Sequence, residues 1–273
     1  MKRLSIGNIF KYIILAFLAV LFLTPVYVVI VTSLKPLSEV SLSEMWKIPS
    51  AIDFSAYSKA FSSLAPNLLN SFYLVIPATL LAAILGSMNG YVLSKWKFKG
   101  SDILFTILLF GMFLPYQSIL IPLIQFLRSI NLYNTLPGLI LVHVVYGIPI
   151  TTLMFRNFYA NIPDEMLESA QIDGAGFLGI FRRIILPLSI PGFVVVAIWQ
   201  FTNIWNEFLF AVTVTTGDKQ PVMVALQNLS GSQIVEWNVQ MAGALLAALP
   251  TLLVYIFLGK YFVRGLLAGS VKG

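Results

Sequence analysis

Residues 12–32 read YIILAFLAVLFLTPVYVVIVT, 21 residues without a charged side chain. A helix needs about 20 predominantly apolar residues to cross the hydrocarbon core of a bilayer. Met1-Lys2-Arg3 ahead of this run imitates the charged start of a signal peptide. The run is nevertheless longer than a signal core of about 7–15 residues, and no small-x-small cleavage site ends it. The reading is therefore a retained transmembrane helix over 12–33.

Five further stretches of the same kind follow, at 68–94, 103–127, 132–155, 188–215 and 241–263. Helices are expected in all of them, because an open strand would leave backbone groups unpaired in lipid. Pro25, Pro77, Pro115, Pro122, Pro149 and Pro250 fall inside these runs and are expected to kink them. Of the six, only 188–215 carries an acid, Glu207. The chain is 58% hydrophobic and 10% charged, with a mean hydropathy of +0.88. A soluble domain carries about 25% charged residues, so the solvent here must be lipid. The fold class that follows is all-α, one polytopic domain over 1–273 with six spans. There is no internal repeat and no low-complexity segment.

The formal net charge of +6 does not point to nucleic acid, because lysines and arginines flank the apolar runs and form no basic face. With the N-terminus inside, the inner segments hold Lys2, Arg3, Lys11, Lys95, Lys97, Lys99, Arg156, Arg182, Arg183, Lys260, Arg264 and Lys272. The outer segments hold Lys35, Lys47, Lys59, Arg128 and Lys219. Twelve against five favours both termini in the cytoplasm. Residues 34–67 then face outside and 156–187 inside. The absence of cysteine removes disulfides and thiolate metal sites but does not fix a compartment.

Ala78, Ala82, Gly86 and Gly90 repeat at i, i+4 on the second run. Small residues at that spacing let another helix approach closely, either one of the same chain or one across a dimer seam.

The inner loop reads Ile162-Pro163-Asp164-Glu165-Met166-Leu167-Glu168-Ser169-Ala170-Gln171-Ile172-Asp173-Gly174-Ala175 and runs through Phe181 to Leu186-Pro187. Pro163 suits a first helical turn, and Asp164 and Glu165 suit the positive end of a helix dipole. Met166, Leu167, Ala170 and Ile172 are expected to form an apolar side. Asp173-Gly174 reads as a helix stop in which Gly supplies a left-handed residue. A second short helix is expected from Ala175. Physically this is a helix–turn–helix bracket at the inner membrane surface. It is either a docking element or a loop anchored to headgroups by its basic residues.

Glu168, Ala170, Asp173, Gly174, Ala175, Phe181, Ile184, Leu186 and Pro187 fall in the register of the EAA signature, and this segment closely resembles that of ABC importer permeases. Ser169 stands where the signature usually has its first Ala, a small-for-small change. The resemblance covers nearly the whole chain through Pro25, Ser33-Leu34-Lys35, Asn70-Ser71, Gly90-Tyr91, Phe98-Lys99-Gly100, Asn134-Thr135, Trp205-Asn206-Glu207-Phe208 and the tail 265–273. It is closest to the smaller, six-span permease of maltose-type carbohydrate importers, and Gly259-Lys260-Tyr261-Phe262 looks most like the glucose- or mannose-type branch.

The resemblance implies a second permease subunit, two ATPase subunits, an extracytoplasmic sugar-binding protein and a sugar substrate, in a prokaryotic inner membrane. It assigns Glu168, Ser169, Ala170, Asp173, Gly174 and Ala175 to ATPase coupling. The chain has no Gly-x-x-x-x-Gly-Lys-[Ser/Thr] phosphate cradle, so ATP and magnesium belong to the partner ATPases. No catalytic residue and no metal or cofactor site is expected in this chain.

Gln200, Asn203 and Glu207 share a helical face at i, i+3, i+7, and an intramembrane acid is a functional candidate. The stripe reads as a wall of the translocation path, or as a contact with the partner permease. His143 is the only histidine and reads as a packed, hydrogen-bonded side chain rather than a metal ligand. Two other classes fit the residues less well. An ion-coupled secondary transporter often shows two related halves, which are not found. An intramembrane enzyme would need a metal or thiol motif that is missing here.

Overall fold

Every regular element among the described residues is a helix, as lipid requires of a backbone that must pair with itself. The computed structural model describes residues 6–96, 98–231 and 235–268. Lys2, Arg3, Lys97, Lys272 and tail residues 269–273 lie outside the described residues.

Helix α1 (Ile6–Ser33) carries Pro25 without ending. Two 3-10 turns, Leu37–Glu39 and Leu42–Glu44, follow. Helix α2 (Ser55–Lys95) begins well before the expected residue 68, because Asp53 Oδ1 accepts the Ser55 N–H at 2.8 Å and starts the first turn. At about 1.5 Å per residue, α2 is about 60 Å long, roughly twice the hydrocarbon core.

The run expected at 103–127 is not one helix. Helix α3 (Ser101–Phe110) and the turn Gly111–Phe113 meet helix α4 (Tyr116–Ser129) at a bend of 99°. Pro115 disfavours helical torsions at the residue before it, and Leu114 is extended at φ −70°, ψ 121°. Helix α5 (Leu136–Ala160) is capped by Thr135, whose Oγ1 accepts the Gly138 N–H at 3.0 Å.

Next come α6 (Asp164–Ile172), α7 (Phe177–Ile180), a π-turn over Phe181–Ile185, and α8 (Leu186–Leu188). Helix α9 (Ile190–Asn206) departs from the preceding Phe177–Leu188 segment at 73°. The short α10 (Leu209–Val214), a 3-10 turn Gly217–Lys219, α11 (Val222–Leu229) and α12 (Trp237–Ala268) complete the order. Four helices are long and apolar enough to span a membrane, or up to six if each of the two bent pairs is one span. Of the six expected stretches, four fall on continuous helices of this kind, 103–127 falls on the first bent pair, and 188–215 overlaps the second arm of the other and only Leu188 of its first.

The chain divides into two compact units, residues up to Ala65 with Ala225–Leu249, and Pro66–Val224 with Pro250 onward. In the first, Ala56, Ala60, Val239 and Ala242 pack together with Tyr57 and Leu246. Its segment between α1 and α2 is fastened by polar contacts. Buried Lys35 donates to the Glu44 carbonyl at 2.6 Å, and Tyr27 OH donates to the Trp46 carbonyl at 2.9 Å. Asn238 Nδ2 reaches the Lys35 carbonyl at 3.1 Å.

In the second unit the small-residue stripe of α2 meets α5 of the same chain. A Cβ added at Gly86 would lie 2.9 Å from the Thr151 carbonyl carbon, and one at Gly90 2.8 Å from the Arg156 nitrogen. Thr151 Oγ1 donates to the Ala82 carbonyl at 3.0 Å. The close approach serves internal packing, so the dimer-seam reading of this stripe falls away: its atoms are already occupied.

Candidate functional site

The bracket is built from α6, a Gly turn and α7. Pro163 sits one place outside the helix in extended geometry, and α6 starts at Asp164 with Glu165 in its first turn. The helix ends in a Schellman motif. The Ala175 N–H donates to the Ala170 carbonyl at 2.9 Å and the Gly174 N–H to the Gln171 carbonyl at 2.9 Å. Gly174 takes φ +83°, the left-handed value expected of it, with open space around its Cα. The second helix starts at Phe177, two residues beyond Ala175, because Gly176 is still extended.

This closure sorts the six coupling candidates onto two sides. Ala170 and Ala175 turn inward onto a core of Tyr91, Tyr159, Ile162, Leu167 and Ile180. Glu168, Ser169, Asp173 and Gly174 are exposed, and Ser169 Oγ donates back to the Glu165 carbonyl at 2.8 Å. The expected apolar side of α6 splits in the same way. Leu167 is buried, whereas Met166 is 43% and Ile172 87% exposed, joined by Leu178 at 60%. The outward side of the bracket therefore presents three apolar side chains among acids.

Residues that the sequence reading passed over hold this bracket in place. Lys95, counted only as a topology charge, is buried and donates to the Ile162 carbonyl at 2.5 Å and to Asp164 Oδ1 at 2.6 Å. Tyr91 OH donates to the Phe177 carbonyl at 3.3 Å, and its ring lies 5.0 Å from that of Phe177 and 5.3 Å from that of Phe181. Their spacing on one face of α2 was visible in the sequence, but the partner was not.

The membrane stripe is only partly assembled. Helix α9 ends at Asn206, and Glu207 is extended at φ −71°, ψ 128°, so Glu207 leaves the helical face it was expected to share. Its carboxylate instead accepts the backbone N–H groups of Phe210 at 2.8 Å and Ala211 at 3.2 Å, capping α10. Gln200 is buried against Gly147 of α5, and its Oε1 has no hydrogen-bond partner. Asn203 is exposed and donates to the Trp199 carbonyl at 2.8 Å. His143 Nε2 is buried 3.7 Å from Glu207 Oε2 without a hydrogen bond, contrary to the hydrogen-bonded side chain expected. Tyr116, Tyr146 and Phe210 pack beside it with ring centroids 5.0 Å apart in each pair.

Comparison with known proteins gives one consistent picture. The family model described as binding-protein-dependent transport system inner membrane component matches residues 78–267. A probable ABC transporter permease protein of Pyrococcus horikoshii is 48% identical over 100% of both chains. The xylose/arabinose import permease protein of Haloferax volcanii is 33% identical, covering 97% of this chain and 94% of its own. The glucose import system permease protein of Saccharolobus solfataricus is 34% identical, covering 96% and 95%. Among solved structures, a bacterial ABC transporter that imports the acidic polysaccharide alginate superposes with a TM-score of 0.82 at 21% identity, covering 96% of this chain and 98% of that one. That likeness shows the same fold.

Proposed function

Because the chain belongs to the binding-protein-dependent transport system inner membrane components, and so is a non-catalytic ABC importer permease, we propose that its cargo is a sugar and that its inner bracket couples it to an ATPase. The xylose/arabinose and glucose import permeases among its relatives support the cargo class. The complex we propose pairs this chain, acting as one permease domain, with a second permease subunit, two ATPase subunits and an extracytoplasmic sugar-binding protein. The ATPases hold ATP and magnesium. Both termini lie in the cytoplasm, which the twelve-to-five charge bias supports.

The observation that carries the coupling reading is the outward side of the bracket. Met166, Ile172 and Leu178 leave apolar surface uncovered beside Glu168 and Asp173. Water gives such surface no stabilisation, while a partner groove does. Ala170 and Ala175 set the bracket on the membrane helices behind it. ATPase closure would push on this element and open the permease outward. Asn203 supports a path on the exposed side of α9, with Gln200 and Glu207 forming the wall behind it.

The test compares Gly174→Val with Glu168→Ala in the co-expressed complex, reading membrane level, ATPase retained on purified permease, and uptake from a panel of labelled glucose, xylose, arabinose and maltose. A β-branched residue at φ +83° is strained, so Gly174→Val should reach the membrane yet lose ATPase and uptake. Glu168→Ala removes one exposed charge, worth about 0–1 kcal/mol, and should weaken both only slightly. Normal uptake with Gly174→Val would sink the docking reading. Uptake by this polypeptide alone would favour an ion-coupled carrier.

A further inference from the structure

Ser87, Tyr91 and Lys95 follow each other at steps of four along α2, which puts them on one helical face. Each fastens a different part of the segment 159–189. Lys95 holds its start, through the Ile162 carbonyl and Asp164. Tyr91 holds its middle, through the Phe177 carbonyl and the rings of Phe177 and Phe181. Ser87 reaches its first residue, Ser87 Oγ and Tyr159 OH being 2.7 Å apart, and Tyr159 OH in turn accepts from Ser189 Oγ, at the segment's end, at 3.1 Å. Ser189 sits at the 73° elbow where the inner segment turns into α9. Ser87, Tyr91, Tyr159 and Ser189 are all at most 1% exposed, and the Lys95 side chain 5%.

We propose that Ser87, Tyr91 and Lys95 are positioning residues that make α2 the receiver of the bracket's stroke. Covalently, the bracket is joined only to α5 and α9. A push on α6 could therefore be absorbed at two soft places, the π-turn Phe181–Ile185 and the elbow at Ser189. Buried hydrogen bonds are costly to leave unmade. With three of them along α2, the segment cannot slide past that helix without orphaning a buried group. The bracket and the inner half of α2 then move as one body, and the displacement enters the membrane through a continuous helix. This inference rests on the docking reading above.

The experiment uses the whole complex in nanodiscs, with Tyr91→Phe/Lys95→Met as the test variant and Lys95→Arg as the conservative one. Spin labels at exposed Met88 and Glu165 report the distance between α2 and α6. In the parent complex that distance should be the same with and without ATP. In the double variant it should shift with nucleotide. Bound ATPase and ATP hydrolysis should persist, while uptake per ATP falls about 2- to 30-fold, the span of measured coupling changes. Lys95→Arg should keep the parent ratio. Uptake per ATP unchanged in the double variant would overturn the proposal. Loss of the ATPase from that variant would overturn it too, since the stripe would then shape the docking surface rather than carry its motion. Failure of the docking reading is separately visible, as normal uptake with Gly174→Val.

Discussion

Glu207 Oε1 accepts the Phe210 N–H at 2.8 Å, so the acid inside the membrane caps the helix that begins just after it. A carboxylate there also meets the positive end of the α10 dipole. Losing a cap of this kind costs about 0.5–2 kcal/mol. Glu207→Ala should therefore lower the melting temperature of purified permease, and Glu207→Gln, which keeps one acceptor oxygen, should lower it less. Melting of Glu207→Ala at the parent temperature would show that the cap contributes nothing.

Gly86 and Gly111 should respond oppositely to a methyl group. At Gly86 the new Cβ runs into Thr151, its carbonyl carbon included, whereas at Gly111 nothing lies within 4 Å. Overpacking costs about 1–3 kcal/mol. Gly86→Ala should reduce thermal stability and membrane level, and Gly111→Ala should leave both unchanged. Equal behaviour of the two would contradict the α2–α5 seam.

Orientation is open to direct labelling because the chain has no cysteine. Ala51→Cys in the outer segment and Gly176→Cys in the bracket are both at exposed positions. An impermeant thiol reagent added outside spheroplasts should modify the first and reach the second only after lysis. Modification of both from outside would overturn the six-span arrangement.

Acid should loosen the outer segment. Glu39 accepts the hydroxyl and the N–H of Ser50, and Asp53 those of Ser55, which holds both carboxyls below their ordinary ranges. A lowered folded pKa contributes stability above the unfolded value, and that contribution is lost as pH falls through the folded value. Protection of the Ser50 and Ser55 amides, corrected for intrinsic exchange, should therefore fall below about pH 4. Glu39→Gln/Asp53→Asn should show reduced protection already at neutral pH. Protection independent of pH would refute the assignment.

Hydrophobic run length was enough to find the six stretches, because crossing a bilayer is a local demand that each segment meets by itself. The bracket was legible for the same reason. The stop and Gly turn of 170–175 are satisfied within the segment, and the Schellman closure at Gly174 formed where the residues asked for it. Run length could not separate a kink from a break. Pro25 and Pro149 are carried inside continuous helices, while Pro115 follows a break, although all three look alike in the sequence.

The sequence by itself determined that this is an all-helical membrane chain with a helix–turn–helix bracket between its fourth and fifth apolar stretches, and which residue types stand on each helical face. Tertiary structure alone decided what those faces meet. The α2 stripe of small residues found α5 rather than a second copy, and Glu207 turned from the α9 face to cap α10. Lys95 became the anchor of α6 rather than a free surface charge. Periodicity names a face because it follows from the geometry of one helix. A partner is a property of two segments far apart in the chain, settled only when their buried polar groups must all be paired at once.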